Sequence, residues 1–264
     1  MRVGVFDSGL GGLTIVQAMM RHLKGAQIHY IADTKHAPYG EKSQKQIIRY
    51  TLEITEYFID KHKIDALVVA CNTATTAAIE TLRQHYPKLI IVGTEPGIKP
   101  AIEATKNDKI GILATPATLK SNKYRQLADR LAADNKIRLY EQACPGLVEQ
   151  IEQGLTDTQE TYEMLEGWLC DMRESGVDTI VLGCTHYPIV SEPIGKLMDH
   201  RVSLIHTGDA ITKHLLTLAQ EQGHRNEGPL SLFLYTTGDI NKNIVTKILD
   251  KSIPIQKINS IFTT

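Results

Sequence analysis

Short runs of β-branched and aliphatic residues alternate along the chain with longer stretches in which apolar residues recur every three or four positions. The short runs predict strands at residues 3–6, 28–31, 66–70, 89–92, 110–113, 137–140, 179–182, 203–205 and 230–235. The longer stretches predict helices between them. Residues 44–62 place Ile48, Leu52 and Ile59 on one face, and residues 158–173 carry Leu165, Trp168, Leu169 and Met172 at similar spacing. These stripes are read as core-facing. Strands that alternate with helices are the pattern of an α/β fold, a mainly parallel sheet flanked by helices.

An internal repeat sharpens that picture. Asp65-Ala-Leu-Val-Val-Ala-Cys71-Asn-Thr and Asp178-Thr-Ile-Val-Leu-Gly-Cys184-Thr-His share an Asp, an apolar strand and a Cys at equal offsets. Arg2-Val-Gly-Val-Phe-Asp7-Ser8 likewise parallels Lys109-Ile-Gly-Ile-Leu-Ala114-Thr115. Two pseudo-symmetric α/β lobes are therefore expected, each presenting a Cys where a strand stops and small polar residues begin. That is the carboxyl end of a parallel strand, where α/β folds place ligands.

Composition narrows the function classes. The chain has 264 residues, 42% hydrophobic and 22% charged, enough apolar material for a real core. With 29 basic against 30 acidic residues the formal charge is −1, so no bulk attraction toward nucleic acid or anionic lipid exists. No apolar run nears the roughly 18–20 residues of a membrane helix, and Asp7 interrupts the first apolar stretch before a signal core forms. A cytoplasmic protein is expected. Four cysteines without a C-x-x-C pair support neither a disulfide framework nor a zinc ribbon. Cys144 precedes a proline and Cys170 falls in a predicted helix, so both are read as structural.

Cys71 and Cys184 differ from those two. A thiol between a strand end and a helix start meets the positive end of the helix, which suits it to act as base or nucleophile; the bland alternative is a small core side chain. Two thiols approaching one carbon from opposite sides suit removal of a proton on one face and its return on the other. Asp7-Ser8-Gly9-Leu10-Gly11-Gly12 leads from the first strand into a helix and is either an anion-binding loop or a tight turn. Thr14 stands where a dinucleotide fingerprint wants glycine, and the lysine of a phosphate-binding loop is missing, so nicotinamide and ATP are disfavoured. Asp7 would orient a thiol or cap the helix. His186, two residues after Cys184, is a candidate proton partner, and Asn72, Thr73 and Thr185 offer donors suited to a carboxylate. Ala37-Pro38-Tyr39-Gly40 is a turn able to overhang such a site.

These segments, VGVFDSGLGGLTI, ADTKHAPYGEKS, VVACNTATTAA, GTEPGIKPA, ILATPATLKS, IVLGCTHYPI and YTTGD, occur in an order that resembles the glutamate racemases of the cofactor-independent aspartate/glutamate racemase superfamily. The resemblance implies interconversion of L- and D-glutamate for peptidoglycan synthesis, without a cofactor or metal. It implies that Cys184 acts on the L isomer and Cys71 on the D isomer, and that Asp7 and Ser8, Tyr39 and Gly40, Asn72 and Thr73, and Thr185 and His186 bind substrate. Thr118 resembles a further substrate contact. Glu152 matches an acidic residue beside the second thiol, although CPGLVEQIEQG departs from the common wording and offers Glu149 as well. The implied fold joins residues 1–95 and 207–264 in one lobe and residues 96–206 in the other, with the active site in the cleft between them and a homodimer as the usual assembly. Activation by a peptidoglycan precursor accompanies an N-terminal extension in that family and is not expected here, where the first strand begins at residue 2. The competing expectations are a racemase of another amino acid such as aspartate, a non-catalytic binding or inhibitory protein on the same fold, and a dithiol redox sensor.

Overall fold

The computed structural model describes residues 1–250, 253–258 and 261. In chain order the first strands and helices are β1 (Arg2–Asp7), α1 (Leu13–His22), β2 (Gln27–Ala32), α2 (Gln44–Tyr57), β3 (Ala66–Val69), α3 (Asn72–His85) and β4 (Ile90–Gly93). The middle of the chain forms α4 (Ile98–Ala104), β5 (Lys109–Ala114), α5 (Pro116–Lys120), α6 (Asn122–Asn135), β6 (Arg138–Ala143) and α7 (Leu147–Gln153). It continues through α8 (Gln159–Glu174), β7 (Thr179–Leu182), α9 (Ser191–Leu197) and β8 (Ser203–Ile205). The last part contributes α10 (Gly208–Glu221), β9 (Ser231–Thr236), α11 (Lys242–Leu249) and β10 (Ile255–Lys257). Sequence pattern did not predict β10, because Ile-Gln-Lys is three residues long and has no apolar run.

Two compact units result. One comprises Met1–Thr94 with the described residues from Gly208 onward, the other Glu95–Thr207. The first unit holds a six-stranded sheet in the order β10-β9-β2-β1-β3-β4, the second a four-stranded sheet in the order β6-β5-β7-β8. Every strand pairing among the described residues is parallel. The repeat read in the sequence is now visible as topology: β2-β1-β3-β4 and β6-β5-β7-β8 are the same arrangement of second, first, third and fourth strand. Registers agree as well, since Phe6 pairs with Val69 and Leu113 with Leu182. In each sheet the chain leaves the central strand in one direction and later returns on its other side. The carboxyl ends of β1 and β3, and of β5 and β7, therefore flank a topological switch point, where open α/β sheets bind ligands.

Packing explains why these segments hold. β1 and β3 are buried on both faces, as strands sandwiched between helices must be. Helix α1 packs on α10 and α11, whereas α2 packs on α3, as right-handed crossovers to either side of β1 require. The glycine of each repeat's first strand admits a helix closely: a Cβ at Gly4 would lie 3.0 Å from the Phe58 ring, and one at Gly111 would lie 2.7 Å from Met172 Sδ.

Helix α2 begins at a full capping box between Ser43 and Gln46. Its buried face is Ile47, Tyr50, Thr51 and Ile54, followed by Phe58 in a π-helical turn. The stripe expected from the sequence, Ile48, Leu52 and Ile59, is only half-buried and flanks that face. Both stripes satisfy a helical period. The sheet selects the one carrying Phe58, because Gly4 leaves room for its ring. In α8 the expected Leu165, Leu169 and Met172 are buried, and Trp168 packs against the same core from its edge.

Candidate active site

In the first unit, Asp7 closes β1 and is completely buried. It does not cap α1, whose N-cap is Gly12; its Oδ2 instead accepts the Gly9 N–H at 2.9 Å. The helix-cap alternative fails because four residues of glycine-rich turn separate Asp7 from that cap. Cys71 lies two residues past β3 and is itself the N-cap of α3, where the Ala74 N–H donates to its sulfur at 3.4 Å. The sulfur thus meets the positive end of α3. The Cys71 thiol also reaches Ser8 Oγ at 3.6 Å, so the ends of β1 and β3 present an acid, a hydroxyl and a thiol together. Asn72 and Thr73 follow in the first turn of α3, both buried. Asn72 Oδ1 is buried without a hydrogen-bond partner.

Tyr39 and Gly40 stand in a 3₁₀ turn, Tyr39–Glu41, that packs on α3. Tyr39 is buried and turns its hydroxyl inward, donating to Asp33 Oδ2 at 2.6 Å. Burial and then the Asp33 carboxylate push this phenol well above its ordinary value, with Cys71 and Asp7 close enough to add to the effect. What Tyr39 can offer a ligand is therefore its backbone. A Cβ at Gly40 would meet nothing within 4 Å, so the space beside this peptide is open.

In the second unit, Cys184 lies two residues past β7, the position that matches Cys71 in the repeat. Its sulfur is 3.7 Å from His186 Nδ1, and His186 Nε2 lies 2.6 Å from Glu152 Oε1. Burial opposes charge on this imidazole, but the bonds to Cys184 and Glu152 outweigh it and hold the ring's pKa well above 6.5. These partners favour the imidazolium form, with one N–H toward sulfur and one toward carboxylate. Of the two acids that the sequence left open on α7, Glu152 makes the bond to His186, whereas Glu149 acts at a distance on Tyr187. Thr185 is buried between Cys184 and His186. Thr118 is fully buried in α5, its hydroxyl 2.9 Å from that of Thr115.

Cys144 is buried, and desolvation, followed by the charge of Cys184, pushes its thiol up to about 12. It stays protonated at neutral pH. Cys170 is half-buried on α8, with its thiol donating to Glu174 at 3.5 Å. Among the described residues no disulfide forms, no cluster of three or more His, Cys, Asp or Glu side chains suits a metal ion, and no helix is long and apolar enough to cross a membrane.

Sequence reasoning missed one hub. Asp33, fully buried just past β2, accepts hydrogen bonds from Tyr39 and from Thr237 Oγ1 at 2.7 Å, and lies 3.0 Å from His36 Nδ1. Its backbone N–H donates to Asp7 O at 2.9 Å. The late Thr-Thr-Gly segment thus ties down the Tyr39–Gly40 turn. The available signal was an acid where an apolar strand stops, one residue further along its strand than Asp7.

The Asp/Glu/Hydantoin racemase family profile matches residues 8–215. The chain belongs to this racemase family. Within it, the chain is 61% identical over 249 residues to a glutamate racemase of Sulfurovum sp. (strain NBC37-1), covering 94% of each chain. The crystal structure of a glutamate racemase isoform from Bacillus anthracis superposes with a TM-score of 0.87 at 31% identity, over 99% of this chain and 98% of that one. A glutamate racemase from Francisella tularensis, solved in complex with D-glutamate, gives a TM-score of 0.83 at 29% identity, over 98% and 97% of the two chains. Racemase relatives of this kind span essentially the whole chain, both units included.

Proposed function

We propose that this chain interconverts L- and D-glutamate by direct proton transfer at Cα, without pyridoxal, and so supplies D-glutamate for peptidoglycan synthesis. The observation that carries this reading is the matched pair of thiols, Cys71 and Cys184, each two residues past the third strand of its repeat and each with its own polar retinue. Glutamate as the substrate is supported by the names of the relatives.

One thiol is ionised and the other protonated at the start of each turnover. With D-glutamate, the Cys71 thiolate takes the α-proton and the C–H electron pair passes into the carbanion. Cys184 then gives its proton to the opposite face and is left as thiolate beside the His186 imidazolium. L-glutamate runs the same steps in reverse. The α-proton is a very weak acid, so preorganised donors and exclusion of water must lower the barrier. Ser8, Thr73, Thr185 and the Tyr39–Gly40 backbone are assigned to the substrate carboxylates, with Thr118 as a further contact. Asn72 Oδ1 is a ready acceptor for the α-ammonium group. Asp7 is assigned to assist Cys71, and His186 with Glu152 to assist Cys184. A homodimer in the cytoplasm completes the proposal, and light scattering on the purified protein tests the dimer.

The chemical test is incubation with L- and with D-glutamate in deuterated water, following loss of the α-proton signal and optical rotation. Exchange with both enantiomers is expected, and loss of racemisation in Cys71→Ser and in Cys184→Ser. Exchange with aspartate but not glutamate would transfer the reading to another substrate, and no exchange with either would end it.

A further inference from the structure

Tyr30 is a polar side chain that the proposed chemistry leaves unused. It lies within β2, is 1% exposed, and directs its phenol to the carboxyl end of β1. There the hydroxyl donates to Gly9 O at 2.6 Å, while the N–H of the same Gly9 donates to Asp7 Oδ2 at 2.9 Å. Gly9 is thus held at both ends, by Tyr30 on its carbonyl and by Asp7 on its amide. Ser8, which receives the Cys71 thiol at 3.6 Å, lies between Asp7 and Gly9 in the chain. The contact is tight. A Cβ at Gly12 would lie 2.7 Å from Asp7 Cβ, 2.9 Å from Tyr30 Oη and 3.0 Å from Ala70 Cβ, so the ends of β1 and β3, the Tyr30 phenol and the turn into α1 converge on one point.

We infer that Tyr30 is a positioning residue for the Cys71 half of the reaction: by fixing the carbonyl of Gly9, whose amide anchors Asp7, it sets the Asp7 carboxylate and the Ser8 hydroxyl relative to the Cys71 sulfur. This rests on the racemase reading above. Without the phenol, a buried carbonyl loses its donor and its peptide turns to find another. The amide that anchors Asp7 lies in the preceding peptide, joined to this one at the Gly9 Cα, and is displaced through that hinge. Misplacement near 1 Å at a proton-transfer site is enough to cost about 100-fold in rate.

The test is Tyr30→Phe, which keeps the ring's packing and removes one hydroxyl. Enantiomers are equal in free energy, so kcat/KM must fall equally in both directions, by about 10- to 100-fold. Primary isotope effects on kcat/KM separate positioning from general damage. With α-deuterated D-glutamate the effect should rise, because proton removal by Cys71 has become the slow step, and with α-deuterated L-glutamate it should fall toward one. Gly12→Ala strains the same contact from the other side and should give the same asymmetry, which keeps the test decisive if the Phe variant fails to fold. Wild-type activity in Tyr30→Phe, or a loss with isotope effects unchanged in both directions in the folded variants, overturns the role of Tyr30 alone. A wild-type protein that does not racemise glutamate overturns both this role and the function on which it rests.

Discussion

Replacing Glu152 by glutamine tests the proposed Cys184 site through pH. His186 is buried, and the bonds to Cys184 and Glu152 raise its pKa well above 6.5 against the cost of burial. Glutamine keeps an acceptor for the Nε2 proton but removes the charge. The bond to glutamine is still made by a charged donor, so what the imidazolium loses is the attraction of the carboxylate, worth about 1.4 kcal/mol or more where an opposite charge lies within about 4–6 Å. At 1.36 kcal/mol per unit, its pKa drops by about one unit. A raised histidine stabilises the fold fully below its unfolded value near 6.5 and loses that contribution as pH climbs through the folded value. In Glu152→Gln the loss still begins near the unfolded value but is complete at a pH about one unit lower, and the contribution present below about 6.5 is correspondingly smaller. Thermal unfolding across pH 5.5–9 measures the first effect. The alkaline limb of kcat/KM, followed by optical rotation, should shift acidward by a similar amount if the imidazolium serves Cys184. A folded variant in which neither limb moves would refute the ion pair, and a stability limb that moves alone would refute its part in catalysis.

Core and cap substitutions test the packing. Ile54→Ala, on the buried face of α2, should cost about 2–5 kcal/mol in urea unfolding, whereas Ile48→Ala, on the half-buried flank, should cost less than about 1.5. Equal losses would put the helix in a different rotation. Tyr39→Phe should destabilise by about 1–3 kcal/mol, because it leaves the buried Asp33 carboxylate one donor short; an unchanged melting temperature would show that His36 and Thr237 suffice. Ser43→Ala breaks the capping box of α2 and should cost about 1 kcal/mol, recovered in part by Ser43→Asp.

Cys71 and Cys184 were legible because their signal is local: an apolar run, a cysteine where it stops, small polar residues afterwards, twice in one chain. The sheets were legible for the same reason, since buried parallel strands read as nearly continuous apolar runs. What escaped depends on partners far away in the sequence. Asp33 and Thr237 are separated by 204 residues, and only the pairing of β2 with β9 brings them into contact. Tyr30 and Gly9 meet because β1 and β2 are neighbours, and no pattern in either segment announces the bond. The rotation of α2 escaped because Ile47, Thr51, Ile54 and Phe58 repeat with the same period as Ile48, Leu52 and Ile59. Periodicity specifies that a face exists; the steric relief at Gly4 specifies which one. The choice between Glu149 and Glu152 was open for a related reason, since both lie on one side of a short helix and only the reach to His186 separates them.

The duplicated scaffold also explains why the two thiols do not have duplicated surroundings. Strand order, register and cysteine position repeat between the units, because they are properties of backbone pairing. The groups touching sulfur include unlike ones: a hydroxyl and a helix N–H at Cys71, an imidazole tied to a carboxylate at Cys184. A reaction that moves a proton from one face of a carbon to the other needs one sulfur ionised while the other is protonated, and two identical environments would give no preference between those states. The like scaffold thus carries unlike retinues, and each is addressed by its own substitution. Substitutions at Tyr30 and at Glu152 should therefore perturb opposite halves of the same reaction, and combining them should give isotope effects closer to those of the wild type than either change alone.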